Sequence, residues 1–309
     1  MSLPSFDDLF ADADRHASRV GVAVAGADDN TVLAALRLAV DRGWVEPFLC
    51  GDESDIRGTA DTHAISIDGF RFIGTTQPAH AAVAAVRDGR ARLLMKGRIA
   101  TPELMSAVLA ADTGLRTGRV ICQTPLVEIV SAGRRLLMAD TGVCVQPTIE
   151  QRIDILRSTV ALAHALGVAQ PRVALMAATE TPTVAMPDTI EAAEIVRRHH
   201  AGEITGCQIQ GPLSFDLAYA AEAGDRKRLA GPVVGAADVM IFPNLTAANL
   251  TIKAIMYTAP CRFGGVLSGA ACPVVFMSRA DNIETRLHSL ALALKLTVRP
   301  FPLPPAEVR

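Results

Sequence analysis

Short apolar runs alternate with amphipathic stretches along most of the chain. The run RVGVAVA at Arg19–Ala25, for example, has the length of a buried strand, and apolar residues at helical spacing follow it from Asp29 to Arg42. Similar strands are predicted at 46–50, 71–74, 92–95, 172–177, 237–242, 263–267 and 274–277. Further helices are predicted at 77–87, 101–111, 148–166, 186–200, 247–257 and 281–296. Strand, helix and strand at this spacing predict an α/β fold built on a parallel sheet.

The alternation is interrupted between 119 and 145. Short β-rich runs are separated there by turn signals, and Ala132-Gly133 is predicted to turn a hairpin. Pro147-Thr148 then opens a long helix. We therefore place a domain boundary near Pro147.

Composition narrows the class of protein without identifying it. The chain has 309 residues, of which 50% are hydrophobic and only 4% aromatic, and 30 basic residues nearly balance 32 acidic ones. A core of Ala, Val, Leu and Ile is expected, and a basic surface for nucleic acid is not. The acidic N-terminus has no apolar signal segment, and no apolar stretch reaches the roughly 18 residues of a membrane span. We expect a cytoplasmic protein that binds neither nucleic acid nor membranes.

Several familiar motifs are missing from the sequence. The six cysteines form no C-x-x-C pair and have no histidine at metal-ligand spacing, so they are expected to be small buried residues in a reducing compartment. The motifs G-x-S-x-G, H-E-x-x-H and G-x-G-x-x-G after the first strand are also missing. Neither a metal centre nor a serine nucleophile of these kinds is expected.

Polar residues follow one predicted strand near the C-terminus. Ser278 and Arg279 come directly after Met277, which ends the strand, and a helix is predicted to begin near Asp281. Ligands of open α/β sheets lie beyond the carboxyl ends of the strands, and a helix start offers unpaired N–H groups to an anion. Two interpretations stay open: a phosphate or carboxylate site, or a helix cap beside a surface arginine.

Three other segments offer polar groups in similar positions. Lys96 and Gly97 end a strand shortly before Thr101, the predicted N-cap of the next helix, and a glycine there lets backbone approach a ligand. Asn249 lies one turn inside a predicted helix, where asparagine is a poor helix former. Asp216 follows a predicted Gly-Pro turn. The alternatives are structural: a solvated turn with a cap for the first segment, and a carboxylate that complements a helix dipole for Asp216.

Taken in order, these segments resemble the phosphate acetyl/butyryltransferase family. The likeness rests on LLMKGRIATPELMSAVL, PTIEQRIDILRSTVALAHALG, GPLSFDLA, GAADVMIFPNLTAANLTIKAI and the residues leading to SRAD, and it is strongest to butyryltransferase-type members. It implies two α/β domains facing a cleft, with an isocitrate/isopropylmalate-dehydrogenase-like architecture. Residues 1–147 plus 280–309 would form the first domain and 148–279 the second. It also implies a homodimer, and chemistry that needs no metal or prosthetic group.

The resemblance implies an enzyme that moves a short-chain acyl group between coenzyme A and inorganic phosphate, with acyl-CoA and acyl phosphate as the acylated forms. Ser278 and Arg279 match the family's Ser-Arg pair, which orients the thiol and stabilises phosphate or the oxyanion. Asp281 is the carboxylate nearest to this pair and is our catalytic candidate. The acetyltransferase branch places its proposed base further along, at Glu284-Thr285 here, so the base stays open.

Five positions match the family's substrate-binding segments. The resemblance places Lys96, Gly97 and Thr101 in a phosphate-side loop of the first domain, and Asp216 and Asn249 at the cleft in the second.

Two departures from the family's pattern leave alternatives open. Ser106 stands where many relatives carry a basic residue, and Ala248 replaces a glycine before Asn249. A non-catalytic or altered-specificity homologue that binds CoA or acyl phosphate is therefore one alternative. The other is a metal-dependent decarboxylating dehydrogenase, which needs Asp carboxylates for Mg²⁺ or Mn²⁺, and the second half of the chain has no D-x-x-x-D group.

Overall fold

Helices and strands alternate along residues 2–277 and 281–297, the part of the chain that the computed structural model describes. The helices are α1 (Phe6–Asp14), α2 (Asn30–Asp41), α3 (Glu53–Thr62), α4 (Pro78–Arg87), α5 (Thr101–Leu109), α6 (Ile149–Ala165), α7 (Pro187–His200), α8 (Phe215–Tyr219), α9 (Ala221–Lys227), α10 (Leu245–Thr258) and α11 (Ile283–Thr297). The strands are β1 (Val20–Ala25), β2 (Val45–Gly51), β3 (Arg71–Gly74), β4 (Leu93–Lys96), β5 (Cys122–Ile129), β6 (Arg134–Ala139), β7 (Arg172–Met176), β8 (Gln208–Leu213), β9 (Val239–Ile241), β10 (Cys261–Ser268) and β11 (Val274–Val275). The predicted α/β class is confirmed.

Local side chains explain where two long helices begin. The carboxylate of Asp29 accepts hydrogen bonds from the N–H groups of Thr31 and Val32, at 2.9 and 3.0 Å, and so caps α2. At the start of α6, Thr148 and Gln151 form a capping box in which each side chain accepts from the other's backbone N–H. These bonds satisfy N–H groups that have no partner inside the helix.

The described chain forms two compact units. The first unit consists of Phe6–Arg119 together with the described residues from Phe263 onward. The second unit consists of the described residues up to Ser5 together with Val120–Arg262.

The sheet of the first unit has the strand order β3-β2-β1-β4-β11-β10. All neighbouring strands are parallel except β10 and β11, which are antiparallel. Residues Val22–Ala25 of β1 are completely buried, and helix α4 packs on β1 and β2. Burial of a central parallel strand explains why β1 is a continuous apolar run rather than an alternating one.

Helix α11 is an interior helix of the first unit. It packs against α1 and α2, and it is buried from Leu290 to Leu294. Its His288 ring stacks on the Phe6 ring with 4.2 Å between the centroids. The stretch Leu290–Leu294 is apolar on every side of the helix, and such a stretch is stable only where it is covered, as it is here.

The sheet of the second unit has the order β5-β6-β9-β7-β8. The first two strands form an antiparallel hairpin, and β6, β9, β7 and β8 pair in parallel. The hairpin turns at the predicted Ala132-Gly133, where Gly133 has a φ of 58° that suits a residue without a Cβ. Helix α6 packs on β6 and β9, and helix α7 packs on β8.

The boundaries of these units differ from the predicted domain boundaries at 147 and 279. Strand β6 pairs with β9, so the chain from Val120 belongs to the second unit. Strand β11 pairs with β4, so the described chain from Phe263 belongs to the first unit. Both pairings join strands that are far apart in sequence.

Two local predictions are wrong. Thr101 is not the N-cap of α5, because Ala100 occupies that position and no side chain caps the helix. Gly211 and Pro212 do not form a turn, because both lie inside β8 and are joined by a cis peptide bond. Strand β8 is at the edge of its sheet, where a proline without an N–H is tolerated.

Across the described residues, none of the helices combines the length and the apolar character that crossing a bilayer requires.

Candidate functional site

The structure divides the predicted site residues between the two units. Lys96, Gly97, Thr101 and Asp281 belong to the first unit, and Asp216 and Asn249 belong to the second. Ser278 and Arg279 lie outside the described residues.

Lys96 is the last residue of β4 and is only 3% exposed. Its Nζ lies 3.4 Å from the carbonyl oxygen of Gly97, to which it donates. Anionic ligands of α/β folds bind beyond the carboxyl ends of such strands, and Lys96 places a cation at one of these ends. The geometry suits a role in holding phosphate.

Gly97 has a packing role beside Lys96. A Cβ at this position would lie 1.9 Å from the carbonyl oxygen of Gly26, the residue that follows β1. The N–H of Gly97 donates to Ala25 O at 2.9 Å, which keeps the two strand ends together. The packing of the chain's own backbone therefore requires glycine here, and the approach of a ligand stays a prediction.

Two residues of α5 that concern the predicted site face solvent. Thr101 is exposed in the first turn, and Ser106, the departure from the family's pattern, is exposed one turn later. Thr101 and Lys96 both belong to the first unit, and the shared role that we predict for their side chains stays a prediction.

Asp281 lies just before α11, which begins at Ile283 after Asn282 caps it by accepting from the N–H of Thr285 at 2.8 Å. The charge of Asp281 acts on Arg286, a buried arginine of α11 that the sequence prediction missed. Burial lowers the pKa of Arg286, and Asp29 and Asp281 oppose that shift.

The Arg286 guanidinium also reaches the start of α2. Its Nε donates to the hydroxyl of Thr31 at 2.9 Å. The sequence signal was an arginine among apolar residues at helical spacing, which is unusual because a buried charge needs compensation.

A pocket of about 550 Å³ lies within the second unit, beyond the carboxyl ends of β7 and β9. We call it the α7–α10 pocket, because it is bordered by the first turns of these two helices. Its lining consists of Gln146, Met176, Ala177, Ala178, Pro187, Asp188, Glu191, Phe215, Phe242, Pro243, Asn244, Ala247 and Thr251. Its size falls in the range of roughly 300–1,000 Å³ that is usual for small-molecule sites.

Negative charge dominates this pocket. Among the residues that the structure describes, Asp188 and Glu191 are the charged groups that line it, and no lysine, arginine or histidine does. Behind them lies Arg152, which is fully buried and donates from Nη1 to Glu191 Oε2 at 3.1 Å. The Nε and Nη2 atoms of Arg152 have no hydrogen-bond partner. Burial lowers the pKa of Arg152, and the charges of Glu191 and Asp188 oppose that shift.

Asn249 holds helix α10 against the loop that follows β6. Its Nδ2 donates to the carbonyl oxygen of Thr141 at 3.1 Å. This bond supplies the reason for an asparagine inside the helix. Ala247 and Thr251, two positions to either side of Asn249, line the α7–α10 pocket.

Asp140 fixes the conformation of the same loop. Its buried carboxylate accepts hydrogen bonds from four backbone N–H groups, those of Gln123, Gly142, Val143 and Cys144, at 2.6–3.2 Å. Burial raises the pKa of Asp140, and the hydrogen bonds only partly oppose the rise. One local signal indicates this arrangement, an aspartate two residues before a glycine at the end of a strand.

Asp216 lies in an exposed polar cluster next to Phe215, a residue of the α7–α10 pocket. The Ser214 hydroxyl donates to Asp216 Oδ1 at 2.5 Å, and Lys227 Nζ lies 3.4 Å from Oδ2. The hydrogen bond from Ser214, and then Lys227, lower the pKa of Asp216. Exposed ion pairs of this kind contribute little to stability.

The described residues contain no group of three or more His, Cys, Asp or Glu side chains placed to hold a metal ion.

Comparison with known proteins gives a consistent result. The sequence pattern of the family described as phosphate acetyl/butaryl transferase matches residues 73–294. The chain is 36% identical over 275 residues to the phosphate butyryltransferase of Clostridium acetobutylicum, covering 88% of this chain and 91% of the relative. It is 37% identical over 298 residues to a phosphate acetyltransferase of Rhizobium meliloti, covering 95% and 94%.

A solved structure extends the likeness to three dimensions. The branched-chain phosphotransacylase of Enterococcus faecalis V583 superposes with a TM-score of 0.79 at 27% identity, covering 89% of this chain and 98% of that one.

Proposed function

Because the chain belongs to the phosphate acetyl/butyryltransferase family, we propose that it transfers a short-chain acyl group between coenzyme A and inorganic phosphate. The observation that carries the proposal is the family match over 73–294, which includes all six described candidate positions and both Ser278 and Arg279. The decarboxylating-dehydrogenase alternative belongs to another enzyme family, and nothing in the described residues favours it.

The reaction is an acyl exchange between sulfur and oxygen. In one direction the CoA thiolate attacks the carbonyl carbon of the acyl phosphate, a C–S bond forms, the C–O bond to phosphate breaks and phosphate leaves. A free thiol has a pKa of about 8.5, so its proton must pass to a base or its thiolate must be stabilised by a neighbouring cation. In the other direction phosphate attacks the thioester and the thiolate leaves.

The residue roles follow the family resemblance. Ser278 orients the thiol, and the guanidinium of Arg279 binds phosphate or the oxyanion of the tetrahedral intermediate. Asp281 is the candidate for the remaining catalytic role, and the identity of the base stays open.

The substrate-binding roles are divided between the units. In the first unit, Lys96 contributes a buried cation to the phosphate side, with Gly97 and Thr101 in the same loop. In the second unit, Asp216 and Asn249 contribute to substrate binding.

The proposal also covers the location, the oligomeric state, the architecture and the cofactors of the protein. We place it in the cytoplasm as a homodimer with an isocitrate/isopropylmalate-dehydrogenase-like two-domain architecture. It uses no metal or prosthetic group, and no nucleic acid or membrane takes part.

Steady-state assays test the proposal. The enzyme, dialysed against EDTA, is given acetyl-, propionyl-, butyryl- or hexanoyl-CoA with phosphate at one pH, and kcat/KM is measured for each. We expect turnover without added metal and a preference for propionyl or butyryl over acetyl, because each buried CH₂ contributes about 0.8 kcal/mol. Activity that requires Mg²⁺ or Zn²⁺ would contradict the metal-free part, and a maximum at acetyl-CoA would contradict the chain-length part. A folded protein without turnover on any of the four would favour the non-catalytic homologue.

Arg279→Ala tests the central residue role. Loss of one electrostatic stabiliser is expected to lower kcat/KM by roughly 10²–10³-fold. The matched control is the exposed Arg226→Ala, which should leave kcat/KM unchanged. A loss of less than about threefold in folded Arg279→Ala would remove Arg279 from the site.

A further inference from the structure

The charge of the α7–α10 pocket disfavours phosphate groups. Both charged residues of its described lining, Asp188 and Glu191, are acidic. The start of α10 is capped, since Asn244 Oδ1 accepts from the N–H of Ala247 at 2.9 Å, whereas the start of α7 has no side-chain cap but has the carboxylate of Asp188 in its first turn. An anion at this wall would therefore meet the carboxylates of Asp188 and Glu191. The pocket suits an uncharged group that can donate hydrogen bonds.

One acceptor in the pocket is held in place from behind. The Nη1 of buried Arg152 donates to Glu191 Oε2, which fixes that carboxylate and leaves its second oxygen available to a ligand. Arg152 is fully buried, and its Nε and Nη2 have no hydrogen-bond partner. Its charge is therefore compensated mainly by the carboxylates on the pocket wall. A pocket whose acceptor is fixed before binding loses less entropy when a ligand arrives.

The pocket also offers hydrogen-bond donors near these acceptors. The oxygen of the Asn244 amide is occupied by the Ala247 N–H, so its nitrogen remains to donate. Gln146 adds a second amide to the lining. Amide and carboxylate groups together match a heterocycle that has an amino donor beside a ring-nitrogen acceptor, as adenine has.

The rest of the lining is apolar and partly aromatic. Phe215, Phe242 and Met176 contribute flat or polarisable surfaces, and Pro187 and Pro243 complete the apolar part. Aromatic side chains bind nucleobases by stacking, and this contact does not depend on charge.

We propose that the α7–α10 pocket binds the adenine base of coenzyme A, with the exocyclic amino group donating to the acidic wall. The proposal rests on the proposed function, because it assigns a place to one part of that substrate. The phosphates of CoA lie outside this pocket, away from Asp188 and Glu191.

Blocking the pocket tests this assignment in the transfer reaction. Ala178 is an exposed lining residue, so Ala178→Trp fills the pocket without burying new volume in the core. Its matched control is Ala201→Trp, an equally exposed alanine outside the lining. Each protein is assayed with acyl phosphate and either CoA or 4′-phosphopantetheine, which carries the same thiol arm without the adenosine part.

Comparison of CoA with 4′-phosphopantetheine shows which part of CoA occupies the pocket. We expect Ala178→Trp, and likewise Phe215→Ala, to raise KM for CoA by about tenfold and to leave KM for 4′-phosphopantetheine within twofold. An equal rise for both thiols would mean that the pocket holds the pantetheine arm and would overturn the proposal. No change for either thiol would also overturn it.

A binding measurement keeps the test independent of catalysis. Equilibrium dialysis should show that adenosine binds to the wild type, that inosine binds at least tenfold more weakly, and that Ala178→Trp loses adenosine binding. Inosine replaces the amino donor by a carbonyl oxygen, which would face the carboxylates of the pocket. Equal binding of adenosine and inosine, or no binding of adenosine, would overturn the proposal. Wild-type protein that binds adenosine in this way but transfers no acyl group would contradict the proposed function and leave the pocket assignment in place.

Discussion

At the scale of single residues, Asp140 combines burial with four backbone hydrogen bonds. Burial outweighs those bonds and raises the pKa of Asp140 above its ordinary value of 3.8. The folded state therefore binds this proton more readily than the unfolded state does. By linkage, the stability gained from the protonated group is complete below 3.8 and is lost as the pH rises through the folded pKa.

Asp140→Asn should remove this pH dependence. We expect the free energy of unfolding of the wild type to exceed that of the variant by more at a pH of about 4 than at a pH of about 7.5, because only the wild type has a group to protonate. Burial raises the pKa of the neighbouring thiols of Cys122 and Cys144, so both stay neutral over this range. Urea unfolding at the two pH values measures the difference. A difference in unfolding free energy between wild type and variant that is constant, or larger at the higher pH, would contradict the raised pKa of Asp140.

Asn249 needs a different test, because both a structural hydrogen bond and a substrate-binding role are assigned to it. Asn249→Ala leaves the carbonyl of Thr141 without this donor and should lower the free energy of unfolding by about 1–2 kcal/mol. Lys253→Ala, an exposed position one turn later on α10, should change it by less than about 0.5 kcal/mol.

The Michaelis constants of Asn249→Ala separate the two roles. A rise in KM for CoA or phosphate in the folded variant would support the family-based binding role, and an unchanged KM would leave only the structural bond. Unchanged stability would contradict the importance of the bond to Thr141.

At the scale of elements, two threonines at the starts of helices have different structural roles, although the sequence predicts an N-cap at both positions. Thr148 caps α6 through a capping box, whereas Thr101 lies inside the first turn of α5 behind Ala100. Thr148→Ala should therefore lower the free energy of unfolding by about 1 kcal/mol, while Thr101→Ala should change it by less than about 0.5 kcal/mol. Thermal or urea unfolding of both variants checks the pair. Equal losses in the two would contradict the cap assignment.

Gly97 sets the geometry where β1 and β4 end. Gly97→Ala would force a Cβ against the carbonyl oxygen of Gly26 and should destabilise the protein by at least about 1–3 kcal/mol, the usual range for overpacking. Gly74 has open space at its Cβ position and no left-handed φ, so Gly74→Ala is the matched control and should be close to neutral. Wild-type stability in Gly97→Ala would show that the two backbones can separate freely.

Element types were largely predictable from the sequence, because periodicity and caps are local. The strand at Val20–Ala25 and the helix that begins after Thr148 lie where the hydrophobic periodicity predicts them. Strand β8 was missed because its Gly-Pro pair signals a turn, and only its place at the sheet edge makes proline acceptable. Helix α3 was missed because only Ile56 and Ala60 are buried on it, which gives a weak apolar pattern.

At the scale of the whole molecule, pairing between strands that are distant in the sequence determines features that local sequence patterns do not predict. The division into units depends on β6 pairing with β9 and on β11 pairing with β4, and neither register can be read from local patterns. The same limit applies to the site. The position of Lys96 at a strand end was predictable, and its binding role stays a prediction, whereas the contact of Arg152 with Glu191 joins two helices and has no local signal.

The stoichiometry of the transfer reaction tests the central claim of acyl exchange between CoA and phosphate. The wild-type enzyme, freed of metal with EDTA, is incubated with butyryl-CoA in the presence and absence of phosphate, and free thiol and acyl phosphate are both measured. We expect one acyl phosphate for each thiol released and no release without phosphate, because phosphate is the only acceptor. Thiol release that continues without phosphate, or that yields no acyl phosphate, would contradict the assignment as a phosphate acyltransferase.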